Sequence, residues 1–125
     1  MDQVPLQTYV EEVNGIPVLN AVGEIDLSTA SIFKRAIHEL IENGHRHILI
    51  DMSQVVFMDS SGFGTLLSAI KILRPQNGTV TLAGCNDAVS RMLGITRLDT
   101  LFNVHADRIS AVHDIHARQA TGQPV

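Results

Sequence analysis

The chain has 125 residues and is 45% hydrophobic, enough for one domain around one core and too apolar for a disordered segment. Its formal net charge of −4 and pI near 5.8 exclude a basic nucleic-acid surface, and Lys34–Arg35 is the only adjacent basic pair. Cys85 is the single cysteine, so no intrachain disulfide forms; no apolar run has the length of a membrane span, and "MDQVPLQTYVEEV" lacks the layout of a secretory signal, so the expectation is a cytoplasmic protein.

With no Trp and one Tyr, the core must be aliphatic. Residues 6–13 read as a strand, Asn14–Gly15 as a two-residue hairpin turn, and 16–23 as the return strand. Pro17 lacks an N–H and so belongs at a sheet edge or a strand start. Ser28 is placed to cap a helix over 29–43, with Ile32, Phe33, Ala36, Ile37, Leu40 and Ile41 at helical spacing and Gly44 closing it. "HILIDM" (47–52) has the continuous apolar character of a strand buried on both faces. A second helix over about 61–74 points Phe63, Leu66, Leu67, Ile70 and Leu73 inward and Thr65, Ser68, Lys71 and Arg74 outward. A strand (79–84) follows. Then comes a short helix capped by Asn86 and ended by Gly94, with Val89, Met92 and Leu93 inward. A short strand (101–104) and a final helix marked by Ile109, Val112 and Ile115 complete the chain before a frayed tail, 119–125. The order β-β-α-β-α-β-α-β-α predicts a single α/β domain over 1–125, ordered over about 5–118. It has a mixed four- to five-stranded sheet and about four helices.

The chemistry-bearing stretch is "VVFMDSSGFGTLL" (55–67), where an apolar strand runs into Asp59, Ser60, Ser61, Gly62 and Gly64 and then a helix. It is not a nucleophile elbow, because no glycine stands two residues before either serine, and none of the six histidines is placed by sequence to activate Ser60. A phosphate loop would need more glycines and a nearby Lys; the first is Lys71. His113 and His116 share a helical face, but Asp114 between them points elsewhere, which argues for surface histidines and no metal. Asp59, Ser60 or Ser61 as a helix cap explains part of the pattern, at about 1 kcal/mol. Two glycines in a first turn weaken a helix by about 1 kcal/mol each, so they make sense where a close approach is needed, to the sheet or by another molecule.

These residues resemble a known family. "DMSQVVFMDSSGFGTLLSA" is similar to the signature of STAS domains of bacterial anti-sigma factor antagonists, (D/N)-x-S-x-(V/L)-x-(F/Y)-(M/I)-D-S-(S/T)-G-(L/F)-G. "GEID" (23–26), "RHILIDMS" (46–53), Leu98 and Phe102 resemble further family features, over roughly residues 6–118. Phe63 stands where Leu is commoner and Arg97 where Gly is common. The resemblance implies a STAS fold without catalysis or cofactor. It implies a protein that binds an anti-sigma factor serine kinase to release a sigma factor, is switched off by phosphorylation of Ser60, and is reset by a PP2C-type phosphatase. It implies a partner surface of Asp26, Asp59, Ser60, Ser61 and Gly62, no direct nucleic acid or membrane contact, and a monomer when free. For Asp26 the residues alone equally suit a cap two positions before Ser28, and for Ser61 a hydroxyl bonded to backbone. Phosphate on Ser60 is expected to meet the free N–H groups of a helix start, opposed by Asp59 and Asp26, with little change in the fold. The alternative is a STAS ligand- or nucleotide-binding domain or a scaffold subunit without a phospho-switch.

Overall fold

The computed structural model describes residues 5–121. Its elements follow the predicted order: β1 (Gln7–Val13), β2 (Ile16–Ile25), α1 (Ala30–Glu42), β3 (His47–Met58), α2 (Ser60–Leu73), β4 (Thr79–Ala83), α3 (Asp87–Ile95), β5 (Asn103–His105) and α4 (Arg108–Thr121). The strands form one sheet in the order β1-β2-β3-β4-β5, antiparallel between β1 and β2 and parallel thereafter. The turn between β1 and β2 has positive φ at both Asn14 and Gly15, the conformation that matches strand twist in a two-residue hairpin. Pro17 falls at the start of β2, before pairing with β3 begins at Val18.

Because β2 to β5 advance in one direction, right-handed crossovers put their connecting helices on one face. The main core lies there, with Phe33 and Ile37 of α1, Leu66 and Ile70 of α2, and Leu93 of α3 packed on Leu19, Ile50 and Leu82. The opposite face is covered by α4, which sets Ala111, Val112 and Ile115 on Ile16, Val18, Leu49 and Ala83. This helix extends to Thr121, past residue 118 where the sequence suggests a tail; residues 122–125 of that tail lie outside the described residues.

β3 is one strand of twelve residues, longer than the apolar run 47–52 suggests. Met52, Val55 and Met58 all enter the main core at intervals of three, which simple alternation forbids. Two irregularities in the β2–β3 register restore them to one face, and Gly23, with φ of 121°, faces the second.

Four amphipathic assignments shift, the first being Ile32 of α1, which is 44% exposed because the helix turns Phe33, Ile37 and Leu40 to the sheet. Thr65 is buried because its hydroxyl donates to the Ser61 carbonyl at 3.0 Å, which satisfies it against the helix itself. Met92 and Ile109 are exposed, at 44% and 79%, since α3 and α4 turn only narrow stripes to the sheet. The third helix does not end at Gly94; it continues to Ile95, and the left-handed residue that follows its cap is Arg97, at φ 63°. This conformation explains why glycine suits that position. Arg97→Gly is expected to stabilise the domain by about 0.5–1 kcal/mol, read as a higher urea midpoint at unchanged m-value.

Candidate functional site

Parallel pairing aligns the C-terminal ends of β2 and β3, with Ile25 beside Met58. The two chain segments that leave these ends, 26–29 and 59–60, therefore lie side by side. The Asp59 N–H donates to the Ile25 carbonyl at 3.0 Å, and the Leu27 N–H further stabilises the Asp59 carboxylate. The fold thus brings Asp26 and Asp59 to one edge with Ser60, Ser61 and Gly62.

Each side chain has a defined task. Asp59 caps α2: its Oδ1 accepts from the Ser61 N–H at 2.9 Å and from the Ser61 hydroxyl, while its carbonyl accepts from Gly62 N–H at 3.1 Å. The Ser61 hydroxyl therefore bonds a carboxylate rather than backbone. The first-turn N–H groups of Ser61 and Gly62 are already satisfied by Asp59, so a new anion at Ser60 does not find them free. Asp26 plays the matching role before α1. Its Oδ1 accepts from the Ser28 N–H and hydroxyl at 2.9 and 2.7 Å and from Thr29 N–H at 3.1 Å. Ser28 is thus a donor to the turn and not the cap; Thr29 holds that position, its hydroxyl bonded to the Glu24 carbonyl at 2.8 Å.

Both carboxylates are held below the usual carboxylate range, Asp59 first by the Ser61 hydroxyl and Asp26 first by the Ser28 hydroxyl, each with backbone N–H groups adding to it. They are ionised at neutral pH. Ser60 itself, at the first position of α2, is exposed, and among the described residues no hydrogen bond engages its hydroxyl.

The two glycines differ. A Cβ at Gly62 would sit 2.3 Å from Met58 Cγ and 2.9 Å from Ile25 Cγ2, whereas one at Gly64 would meet nothing within 4 Å. Gly62 is there so that α2 can lie close against the ends of β2 and β3. Gly64 has no packing reason. Gly62→Ala is expected to lower stability by about 1–3 kcal/mol through overpacking, and Gly64→Ala to raise it by about 0.5–1 kcal/mol, both readable in urea unfolding.

Around Ser60 the surface is apolar. Leu27 is 84% exposed at the tip of the 26–29 turn, and Met58, Phe63, Met92 and Leu98 line a small cleft of about 160 Å³ whose rim carries Asp59 and Ser60. That volume is below the roughly 300 Å³ at which small-molecule sites begin. A strand order without reversal also lacks the crevice in which open α/β sheets bind nucleotides. The larger groove, about 510 Å³, lies elsewhere, between β1 and α1.

Several histidines are engaged away from this edge. His47 shares a 2.8 Å hydrogen bond with Thr79, His116 Nε2 donates to the Asn14 carbonyl at 2.8 Å, and Asp114 turns to His105 and Arg118. Burial pushes the Cys85 thiol up to about 11, which keeps it protonated and poorly nucleophilic. Among the described residues no helix is long and apolar enough to cross a membrane.

A cluster that the sequence does not reveal sits at the start of α4. Arg108 Nε donates to Asp51 at 2.8 Å, Nη1 to Glu11 at 3.0 Å and Nη2 to Asn20 Oδ1 at 2.6 Å, while Asn20 Nδ2 donates to Glu11 at 2.9 Å. Its partners come from β1, β2 and β3, so it fastens the last helix to the sheet.

The STAS domain family matches residues 7–111, and the chain belongs to it. Among its relatives is an anti-sigma F factor antagonist of Paenibacillus polymyxa, 25% identical over 111 residues that span 88% of this chain and 95% of the relative. An anti-sigma-B factor antagonist of Staphylococcus aureus is 28% identical over 83 residues, 66% of this chain and 77% of the relative. The crystal structure of an anti-sigma factor antagonist from Mycobacterium paratuberculosis superposes with a TM-score of 0.81 at 27% identity, covering 89% of this chain and 94% of the other.

Proposed function

We propose that this protein is a cytoplasmic anti-sigma factor antagonist without catalysis of its own. It binds an anti-sigma factor that is also a serine kinase, through Asp26, Asp59, Ser60, Ser61 and Gly62, and so frees a sigma factor. Phosphorylation of Ser60 ends the binding, and a PP2C-type phosphatase restores it.

The observation that carries this reading is the state of Ser60: exposed, unbonded, next to the ionised Asp59 whose carboxylate meets the Asp26 turn, and at an apolar rim. A kinase reaches such a hydroxyl without unfolding anything. The phosphoryl group adds about −1.5 to −2 charges where Asp59 already takes the Ser61 and Gly62 N–H groups, so its main effect falls on the partner that must cover it. The names of the relatives support the partner class. The small cleft and the uninterrupted strand order weigh against the nucleotide-binding alternative.

Gly64 follows Ser60 by one helical turn and has no packing role, so its missing side chain serves the docked partner. Gly64→Ala, stabilising for the free domain, is therefore expected to weaken partner binding. Reconstitution tests the whole cycle: the purified protein, its kinase and ATP should give one phosphoserine at Ser60 and release of the complex, and added phosphatase should reverse both. Release without phosphorylation would contradict the proposal.

A further inference from the structure

Apolar groups make up most of the cleft beside Ser60. Its deepest lining residues, Met58 and Phe63, are nearly buried, and Met92 and Leu98 stand more open around them. Thr96 adds no free donor, because its hydroxyl donates to the Met92 carbonyl at 2.7 Å. Only the rim is polar, where Asp59 and Ser60 stand. The volume of about 160 Å³ matches an apolar cavity of roughly 150 Å³ that holds a benzene-sized group, so the cleft admits one leucine, isoleucine, methionine or phenylalanine side chain. Two of its lining residues are methionines, whose flexible thioethers adapt to such an occupant. Ionised carboxylates stand on one side, Asp59 at the rim and Asp26 on the turn that Asp59 meets.

We propose that this cleft is the socket for one apolar side chain of the anti-sigma factor, on a segment that sets a lysine or arginine against Asp59, and that a phosphoryl group on Ser60 closes it. The inference rests on the phospho-switched reading above and names the contact through which the switch acts. An apolar pocket with an acidic rim selects such a segment over an acidic or wholly polar one. A single anchor in a pocket, ringed by groups that exclude water, is where binding energy concentrates at an interface. With phosphate at the mouth, the anchor cannot enter without stripping water from the new charge, which costs more than its own burial returns. Met92 thereby gains a role that its place on α3 does not otherwise explain, and Thr96 joins it as a contact residue. Ile95, exposed on the same helix, does not line the cleft and marks the limit of the socket.

Methionine-methyl NMR of the intact chain with the purified anti-sigma factor tests this, with the fully buried Met52 as internal reference. The Met58 and Met92 methyls should shift and show nuclear Overhauser contacts to aliphatic or aromatic protons of the partner, and phosphorylation of Ser60 should erase both. In calorimetric titration, Thr96→Phe, which fills the cleft from an exposed position, should weaken binding at least about 30-fold and Met92→Ala about tenfold, while Ile95→Ala stays within about twofold. The methyl contacts and Met92→Ala decide the matter even where Thr96→Phe folds poorly. Release by Ser60→Asp with binding unmoved by Met92→Ala and Thr96→Phe would overturn the socket and leave the switch standing. Should Ser60→Asp release nothing, the switch and the closing of the socket fall together. A Met58 methyl that meets only polar partner side chains, or that is already covered in the free chain by its own ends or a second copy, would also overturn the proposal.

Discussion

Ser60→Asp is expected to weaken binding to the anti-sigma factor by at least about 100-fold, while Ser60→Ala binds within about threefold of the unchanged protein. The difference arises from charge. Ser60 follows Asp59, which meets the turn of Asp26, and both carboxylates are kept ionised by the hydroxyls and N–H groups whose hydrogen bonds they accept. A third negative group there finds the Ser61 and Gly62 N–H groups already held by Asp59. A partner that closes over Ser60 must strip water from that charge and bring its own groups against it, which costs several kcal/mol at a desolvated interface. Alanine removes only a hydroxyl that has no bond within the described residues. Calorimetric titration of each variant into the purified anti-sigma factor measures both numbers, and equal binding by the two would contradict the account.

Arg108→Ala is expected to cost about 2–4 kcal/mol of folding stability, the largest effect of any single surface-accessible side chain. Asp51 lies almost fully buried, and loss of the guanidinium leaves its carboxylate with Ser53 alone; Asn20, also buried, loses its acceptor bond at the same time. Arg108→Lys should recover only part of the loss, because an ammonium group cannot span three acceptors in one plane. The network also makes stability pH-dependent. Burial opposes ionisation of Asp51, but Ser53 and Arg108 outweigh it and lower its pKa. The folded state thus binds its proton more weakly than the unfolded chain does. The stabilisation is complete above the unfolded value of about 4 and is lost as the pH falls through the lower folded value. Urea unfolding at pH 7 and near pH 3 should show a larger drop for the unchanged protein than for Arg108→Ala.

The parts of this structure that are legible in sequence are those set by local chemistry. Asn14–Gly15 dictates its hairpin, the apolar spacing of α1 and α2 dictates most of their inner faces, Ile32 and Thr65 excepted, and Asn86 caps α3 by accepting from Val89 N–H at 2.9 Å. The Asp59–Gly62 junction can be found as a strand meeting a helix. Its contact with the Asp26 turn needs the parallel register of β2 and β3, which the GEID resemblance suggests and the residues alone do not. What stays hidden depends on tertiary context. The bulges of β3 break the alternation by which its inner face would be read. Met92 fits a helical stripe but faces the cleft beside Ser60 instead of the core. The Arg108 network joins residues 57, 88 and 97 positions apart, and an arginine early in a polar helix gives no local sign of such partners.

Phosphopeptide mass spectrometry on the protein isolated from its own cells, grown under several stresses, tests the central claim most directly. The account predicts a phosphoryl group on the peptide that contains Ser60, with an occupancy that changes with growth conditions. Consistent absence, with the phosphatase inhibited and ATP added to the lysate, would contradict the switch and leave a STAS domain that works by binding alone.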